Sequence, residues 1–483
     1  MKNTHFLELM NEIDDDLIER ARKPKKKKYT RKLWISGIAA CLALCIILGA
    51  VIRGLGGLGY GVDGTSGSTG GTGGTGASHI YAGIADKNGF NICEAAYRDD
   101  GVDMAPFYEY YAEHGGIEAF YKASLAEMLK TEKGENTVYS PANVYMALAM
   151  LAEMTGGESR GQILALLGEE DIEAVRENAN ALWNISHKPG EEGTTLIANS
   201  VWANEKYDEF FNPELFKTLG TLYHTSSYSG NFNDEAYVNS MKDWVHGQTK
   251  GLLEDMEMDW RLTEETVLAL ASTIYFADSW KFAFNEADTK EMTFCVSNKE
   301  AVKCEYLCEY YVAVTEYVGK KFIAIEKKFE NGGSMVFVLP NREYTVEDLL
   351  RDKEYLAFIS NPHAWENTKE TVYDVLVPKF DILEENDIIG ALKNLGVTDI
   401  FEEGKADFTP LTDIDNLFVG EIDHGARITI NENGCVAAGY TLGSAVCLGG
   451  SKIAKFDRPF AFTVITENNV PLFAGVINNP TKS

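Results

Sequence analysis

Positive charge and catalytic motifs are both scarce in this chain. The 483 residues carry 44 Lys and Arg against 73 Asp and Glu, which gives a formal net charge of −29. An acidic chain lacks the basic surface that nucleic acids and other polyanions require. The sequence contains no His-Glu-x-x-His motif, and nothing arranges its Ser, His and Asp residues as a triad. We therefore expect no enzyme and no nucleic-acid partner.

Cysteine is also sparse and irregularly spaced. Of the eight cysteines, Cys41 and Cys45 fall in an apolar N-terminal run, whereas Cys304 and Cys308 form a close pair outside it. A zinc site needs a second pair or histidines at matching spacing, and neither is present. We expect free, mostly buried thiols, although the sequence leaves disulfides open and assigns none. No metal ion and no cofactor are expected.

The first 52 residues predict a membrane anchor. Nine Lys and Arg lie within residues 20–32, and residues 33–52 then run for 20 positions without a charge. As a helix rising about 1.5 Å per residue, that run spans roughly 30 Å, the thickness of a bilayer core. Basic residues before the run place residues 1–32 in the cytoplasm. A cleaved signal peptide is the alternative, but its apolar core would be shorter. We expect a single-pass signal-anchor, a transmembrane helix over 33–52, in the cell membrane.

Residues 53–104 predict a linker and an ill-defined lead-in. Gly, Ser and Thr make up 18 of the 23 residues in 54–76, a composition that forms flexible coil. Residues 77–104 are polar and lack periodicity, and the globular pattern begins at residue 105. We expect the globular part, residues 105–483, to be extracellular.

The most unusual stretch is 432–460, which joins two segments that resemble strands. Residues 434–451 contain no proline and no charge, whereas an ordinary exposed loop of that length is polar. Because central sheet positions exclude proline, this stretch is compatible with a strand. It could therefore be a loop that becomes one.

Alternation within the stretch supports the same interpretation. Cys435, Ala437, Gly439 and Thr441 share one parity and are all small, whereas the large Tyr440 has the other parity. Side chains alternate between the faces of a strand, so the small set could lie against a core. A long hairpin loop with chance alternation is the alternative.

The segments ITINENGCVAAGYT, KFDRPFAF and LFAGVINNP resemble the hinge and carboxyl end of a serpin. Serpins are metastable protease inhibitors whose exposed loop inserts into their own main sheet after cleavage. Further blocks resemble the family in the same order from about 105 to 480: NTVYSPANVYMALAMLAEM, TLIANSVWAN, VNSMKDWVHGQTKGLLEDM, LALASTIYFADSWKFAFNEADTKEMTF, GGSMVFVLP and VLVPKFDILEENDIIGALKNLG.

The resemblance implies an α+β fold with several sheets. We expect a large central sheet, two smaller sheets, about eight or nine helices and an exposed reactive loop. It also implies a set of site residues. The hinge comprises Glu432, Gly434, Cys435, Ala437, Ala438, Gly439 and Thr441; a polar cluster beneath the main sheet comprises Asn136, Ser140, Asn143, Ser272 and His424; and Trp280 lies near the top of that sheet.

The family's usual spacing places the reactive bond between Leu448 and Gly449, with the bond before Leu448 as the neighbouring choice. A leucine there suits a protease with an apolar specificity pocket. The implied function is a membrane-tethered, monomeric suicide-substrate inhibitor of a serine or cysteine protease. A non-inhibitory surface binding or adhesion protein is the alternative, which the small inward hinge residues disfavour. No heparin-type cofactor is expected, because residues 169–190 contain only Arg176 and Lys188 as Lys or Arg.

Overall fold

Two β-sheets and a set of helices form the part of the chain that the structure describes. This computed structural model describes residues 44–54, 91–93, 102–130, 134–190, 193–251, 253, 260–435 and 451–482. The strands are β1 (Leu44–Gly54), β2 (Asn91–Cys93), β3 (Thr137–Tyr139), β4 (Thr194–Asn204), β5 (Thr225–Gly230), β6 (Thr266–Ser279), β7 (Lys290–Cys295), β8 (Ala301–Val318), β9 (Phe322–Lys328), β10 (Ser334–Pro340), β11 (Thr368–Pro378), β12 (Phe380–Asp387), β13 (Leu417–Ile430), β14 (Gly434–Cys435), β15 (Lys452–Lys455), β16 (Phe460–Ile465) and β17 (Pro471–Ile477).

Ten α-helices lie within the described residues, three of them with eight residues or fewer. They are α1 (Ala105–Glu113), α2 (Glu118–Met128), α3 (Pro141–Met154), α4 (Gly157–Leu167), α5 (Ile172–Ser186), α6 (Pro213–Leu222), α7 (Glu235–Gln248), α8 (Val346–Leu350), α9 (Lys353–Ser360) and α10 (Ile389–Asn394).

The main sheet has the strand order β12-β13-β1-β6-β4-β5-β2, and β14 adds to one end of β6. Its central strand β6 is buried along almost its whole length, because side chains pack on both faces of the sheet. One face of β6, including Leu268, Leu270 and Ile274, belongs to the main core. The other face, including Ala269 and Ala271, packs in a second cluster with Trp244 of α7. A strand covered on both faces is continuously apolar.

Helix α3 lies in the main core, and all of its residues are buried. Ser140 caps its first turn by accepting a hydrogen bond from the Asn143 N–H, and Pro141 occupies the first helical position. Proline is well suited there because its missing N–H would have no helical partner. The helix contacts both β6 and β17.

The second sheet follows the order β15-β11-β8-β9-β10-β16-β17-β3, with β7 paired to β8. The 18-residue strand β8 pairs with β7 and β11 over most of its length and with β9 at its end. The two expected smaller sheets are therefore joined through β8. The predicted α+β class with one large and two smaller sheets is confirmed.

The N-terminal apolar run differs from the sequence prediction. Residues 44–52, the second half of the expected transmembrane helix, lie in the strand β1 rather than in a helix. β1 pairs antiparallel with β13 on one side and β6 on the other. A short apolar run rich in Ile and Val suits a buried strand as well as a helix, and its periodicity alone does not separate the two. Residues 33–43 lie outside the described part.

Among the residues that the structure describes, no helix has the length and apolar character needed to cross a membrane.

Candidate functional site

We call the space between β6 and β13 the strand site. At its upper end, the chain leaves β13 at Ile430, turns through residues 431–433 and continues into β14. Gly434 pairs with Ser279 and Cys435 pairs with Asp278, both antiparallel. The Asn431 N–H donates to the Gly434 carbonyl oxygen at 3.1 Å and closes the turn. The first two residues of the predicted inserting stretch are thus already a strand of the main sheet.

Gly434 lies where no side chain fits. A Cβ atom at this position would lie 2.2 Å from the Asp278 carbonyl oxygen and 2.8 Å from the Ser279 Cα atom. Both are backbone atoms, so a larger residue would push β14 away from β6. Glycine is the residue that permits such close approach of two backbones.

Cys435 is fully buried and belongs to the main core. Its parity in the sequence predicted an inward side chain, and the register with β6 places it on the same side as Asp278. Burial raises the pKa of the Cys435 thiol, and the neighbouring Asp278 carboxylate raises it further. The thiol is therefore neutral and acts as a small apolar group.

Trp280 holds the turn at the upper end of the strand site. Its backbone N–H donates to the Asn433 carbonyl oxygen at 2.8 Å, and its indole Nε1 donates to the Asn431 carbonyl oxygen at 3.0 Å. The indole ring stacks on Phe329 with a centroid distance of 4.8 Å. The tryptophan therefore binds both ends of the turn while its ring is packed in the core.

Glu432, which is buried, forms an ion pair with the partly exposed Lys379. The Lys379 Nζ lies 2.7 Å from Glu432 Oε1, and the Thr289 hydroxyl donates to the same oxygen at 2.6 Å. Burial works against the charge of Glu432, but these hydrogen bonds hold the pKa of its carboxyl below the ordinary value. The glutamate is thus a charged anchor immediately before the residues that are predicted to insert.

A polar floor crosses the middle of the strand site, and we define it as Ser140, Asn143, Asn199, Ser272 and His424. The Asn143 side-chain amide donates to the Ser272 hydroxyl at 2.8 Å. That hydroxyl donates to Asn199 Oδ1 at 2.7 Å. The serpin resemblance implies serine at position 143 and asparagine at position 272, so the two residue types look exchanged in this chain. Asn143 and Ser272 are hydrogen-bonded to one another.

His424 lies on β13 within the polar floor. Its Nε2 lies 3.4 Å from the Ser140 backbone nitrogen, which donates to it, and its Nδ1 has no hydrogen-bond partner among the described residues. Burial lowers the pKa of His424 to about 3. The imidazole is therefore neutral at physiological pH and plays a structural part in the floor.

Asn136 does not join the polar floor, which corrects the sequence expectation. Its amide nitrogen donates to the carbonyl oxygens of Asn479 and Lys482, both at 2.8 Å, and its Oδ1 accepts from the backbone of Asn478 and Asn479. The residue therefore holds the C-terminal segment. It precedes β3, and the pairing of β3 with β17 brings the C-terminal residues beside it.

Sequence reasoning missed Asn199 in the floor and Lys379 as the partner of Glu432. Asn199 is a polar residue within the buried segment TLIANSVWAN of β4, and a buried polar residue in an apolar strand was the available signal. No comparable signal existed for Lys379, because its partner is 53 residues away in the sequence.

Six expected site residues lie outside the described part of the chain: Ala437, Ala438, Gly439, Thr441, Leu448 and Gly449. The chain resumes at residue 451, and β15 pairs parallel with β11. Cys295, Cys304, Cys308 and Cys435 are free thiols. Burial and the nearby Glu291 raise the pKa of Cys304 to about 11.

Comparisons with known proteins identify the architecture. The sequence profile of the family described as Serpin (serine protease inhibitor) matches residues 118–480. Plasminogen activator inhibitor 1 of Mus musculus is 26% identical over 390 residues, which cover 78% of this chain and 94% of that protein.

Two solved structures share the fold. The native-state crystal structure of tengpin, a thermophilic serpin, has a TM-score of 0.66 at 23% identity and covers 80% of this chain and 97% of its own. Human thyroxine-binding globulin in complex with its hormone has a TM-score of 0.65 at 21% identity and covers 78% and 99%. At these identities the likeness shows the fold alone.

Proposed function

The chain belongs to the serpin family of protease inhibitors, and on that premise we propose that it traps one target protease per molecule as a suicide substrate. The observation that carries this proposal is β14. Two residues of the loop already pair with β6, on the route that the rest of the loop would follow. Loop insertion is thus an extension of an existing strand, which avoids the cost of starting a new one.

The chemistry of trapping belongs to the protease. Its serine or cysteine attacks the carbonyl carbon of Leu448, the bond to the Gly449 nitrogen breaks, and an acyl-enzyme forms. If the freed loop inserts before water hydrolyses the acyl bond, the protease is carried along the sheet. An inserted stretch of 14 residues at about 3.3 Å each moves it roughly 45 Å.

The register of β14 supports Leu448 as the cleaved residue. Because Gly434 pairs with Ser279 and Cys435 with Asp278, each step along the loop moves one residue back along β6. Continued in that register, residues 434–447 would cover the 14 residues of β6, which begins at Thr266. Leu448 would then be the first residue beyond the strand, so the acyl bond would be carried to the end of the sheet.

Leucine at the cleaved position favours a protease with an apolar pocket. The test is incubation of the full-length protein, reconstituted into vesicles of phosphatidylcholine and phosphatidylglycerol, with chymotrypsin, followed by denaturing electrophoresis. We expect a covalent complex that survives SDS and a released fragment that begins at Gly449. A Leu448→Arg variant is the matched control, because it should shift trapping from chymotrypsin to trypsin. Cleavage of both proteins without any stable complex would refute inhibition.

The non-inhibitory alternative has one observation in its favour. β1 fills the strand site between β6 and β13, and a loop cannot insert where another strand is paired. A chain locked in this state would be a binding protein with a serpin fold.

We also propose that the protein is held at the cell surface by residues 33–52, with residues 1–32 in the cytoplasm. The support is the uncharged 20-residue run behind nine basic residues. External protease added to intact cells should release the globular part by cutting within residues 54–76. Recovery of the full-length chain in the soluble cytoplasmic fraction would contradict this topology.

A further inference from the structure

β1 occupies the strand site in an ordered register. Residues Leu44–Ile52 pair with β6 from Phe276 to Leu268, and Cys45–Val51 pair with β13 from Arg427 to Glu421. Both pairings are antiparallel, so β1 runs in the same direction as β14. At its middle, Leu48 pairs with His424 on one side and Ser272 on the other, which places the backbone of β1 across the polar floor.

The reactive loop would need the same backbone partners. Continued in the register of β14, residue 437 would pair with Phe276 and residue 447 with Thr266. β1 already pairs with these two residues through Leu44 and Arg53. Along β6, a single residue, Ala277, separates the partner of Cys435 from the partner of Leu44. β14 therefore ends where β1 begins, and full insertion of the loop requires β1 to leave.

The segment that would leave has an alternative environment. Residues 44–52 belong to the uncharged run 33–52, which as a helix is long enough to cross a bilayer. In a bilayer the backbone must satisfy its hydrogen bonds within the helix, whereas in the strand site β6 and β13 satisfy them. The two environments exclude one another, because a residue cannot be in the membrane helix and in the sheet at once.

The linker is long enough to permit the exchange. Thirty-six residues separate Gly54 from Asn91, where the chain next pairs with the main sheet through β2 and β5. Fully extended, they reach at most about 130 Å. The N-terminal segment can therefore withdraw to a membrane while the rest of the sheet remains intact.

We propose that β1 is a built-in competitor for the strand site, and that the protein traps protease only when this segment is withdrawn from the sheet. The partner that withdraws it is a lipid bilayer. This inference rests on the proposed inhibitory function, but the occupancy of the strand site by β1 can be measured separately from inhibition.

The register supplies a direct test of occupancy. Cys45 pairs with Tyr275, and Cα atoms of directly opposed antiparallel residues lie about 4.5–5.5 Å apart, within disulfide range. In the full-length Tyr275→Cys protein without lipid, oxidised glutathione should form the disulfide between residues 45 and 275, detected by peptide mass spectrometry. Tyr275 packs beneath the Lys250 ammonium group, so the Ile47→Cys/Thr273→Cys double variant is a second, independent pair.

Thr273→Cys alone is the matched control. Its thiol lies on the same face of β6 as position 275 but two residues from the partner of Cys45, at a diagonal distance of about 7–8 Å, beyond disulfide range. Added vesicles of phosphatidylcholine and phosphatidylglycerol should reduce the disulfide yield of Tyr275→Cys severalfold, because the segment leaves the sheet.

A proline substitution in β1 tests whether occupancy of the strand site affects protease trapping. Ile47→Pro removes a backbone N–H from the middle of a central strand, which sheets do not tolerate, whereas transmembrane helices accept proline. Without lipid, this variant should trap several times more chymotrypsin per molecule than the parent. Leu58→Pro, within the linker, should behave as the parent does.

The outcomes separate the two proposals. If neither cysteine pair forms a disulfide, the proposal that β1 competes for the strand site is overturned, whatever the inhibition assay shows. A disulfide with equal trapping by the parent and Ile47→Pro also overturns it, because occupancy then has no consequence. If the disulfide forms but no variant traps protease with or without vesicles, the inhibitory function fails and regulation by β1 fails with it. A disulfide together with greater trapping by Ile47→Pro supports the competitor.

Discussion

The upper end of the strand site and the polar floor at its middle hold strands by different chemistry. At the upper end, the indole of Trp280 and the ion pair between Glu432 and Lys379 bind a turn of fixed shape. In the floor, neutral groups donate and accept along a chain from Asn143 through Ser272 to Asn199. The upper end is therefore specific for residues 431–435, whereas the floor tolerates any backbone that lies across it.

This difference explains how one site could accept two segments. A neutral floor makes no charged contact that an incoming strand must match, and the structure shows β1 paired across it. The contacts at the upper end would then decide whether β1 or the reactive loop occupies the site, because Gly434 and Cys435 are already paired with β6 there. The following predictions test that division, from the largest expected effect to the smallest.

A charge at the start of the inserting strand should abolish trapping. In Cys435→Glu, the new carboxylate would be fully buried beside Asp278. An unpaired buried charge costs several kcal/mol, and each 1.4 kcal/mol is a factor of ten. Insertion should slow enough that chymotrypsin completes hydrolysis, so that covalent complex falls more than tenfold while cleavage after Leu448 continues.

Two controls accompany this variant. Cys435→Ser keeps the small size and should retain trapping. Val436→Glu introduces the same charge at the opposite parity, where the register partner on β6 would be Ala277, which is only partly buried. If both glutamate variants lost the same amount of covalent complex, the upper end would not distinguish the two faces of the inserting strand.

Removing a hydrogen bond of the polar floor should destabilise the fold without changing whether β1 or the reactive loop occupies the strand site. Asn143→Ala removes the donor to the Ser272 hydroxyl, and lost buried hydrogen bonds cost about 1–3 kcal/mol. Urea unfolding should show this loss. The exchanged double variant Asn143→Ser/Ser272→Asn should recover most of it, because either residue of the pair can donate to the other. If the double variant lost as much free energy of unfolding as Asn143→Ser and Ser272→Asn together, the two residues would not be an exchanged pair.

Acid should weaken the floor through His424. Its pKa is lowered by burial from 6.5 to about 3, so the unfolded chain binds a proton more readily than the folded one. The contribution of neutral His424 to the free energy of unfolding is fully present above pH 6.5. Below that pH it falls by about 1.4 kcal/mol for each pH unit, so that about 2 kcal/mol is lost at pH 5. Urea unfolding at pH 7.5 and pH 5 should show this loss.

His424→Gln should remove that part of the pH dependence. The comparison with variants is needed because the neighbouring Asp423 acts in the opposite direction. Burial and the nearby Glu421 raise the pKa of its carboxyl, so Asp423 adds stability as the pH falls. An unchanged pH profile in His424→Gln would refute the assignment.

The smallest effect is expected at the anchoring ion pair. Glu432→Gln should cost about 1 kcal/mol in urea unfolding, because Lys379 is partly exposed and also lies 3.3 Å from Glu305. Glu402→Gln breaks the pair with Lys405, in which the glutamate and lysine side chains are 47% and 57% exposed, and should cost less than Glu432→Gln does. Equal values would show that the upper end gains nothing from burying its ion pair.

The local features of the site could be predicted from the sequence. The inward parity assigned to Cys435 depends only on the period of two along a strand. Such a feature follows from backbone geometry, so a single sequence contains it. The α+β fold with one large and two smaller sheets was implied instead by the resemblance of the blocks from residue 105 onward to serpins.

Partners distant in the sequence were decided only by the tertiary structure. Asn136 faces the C-terminal segment rather than the polar floor because β3 pairs with β17. Lys379 lies next to Glu432 because Lys379 directly precedes β12, and β12 pairs with β13. Residues 44–52 are the clearest case. Their apolar composition suits a membrane helix and a central strand equally, because both environments exclude water from the side chains. Only the pairing of this segment with β6 on one side and β13 on the other makes it a strand.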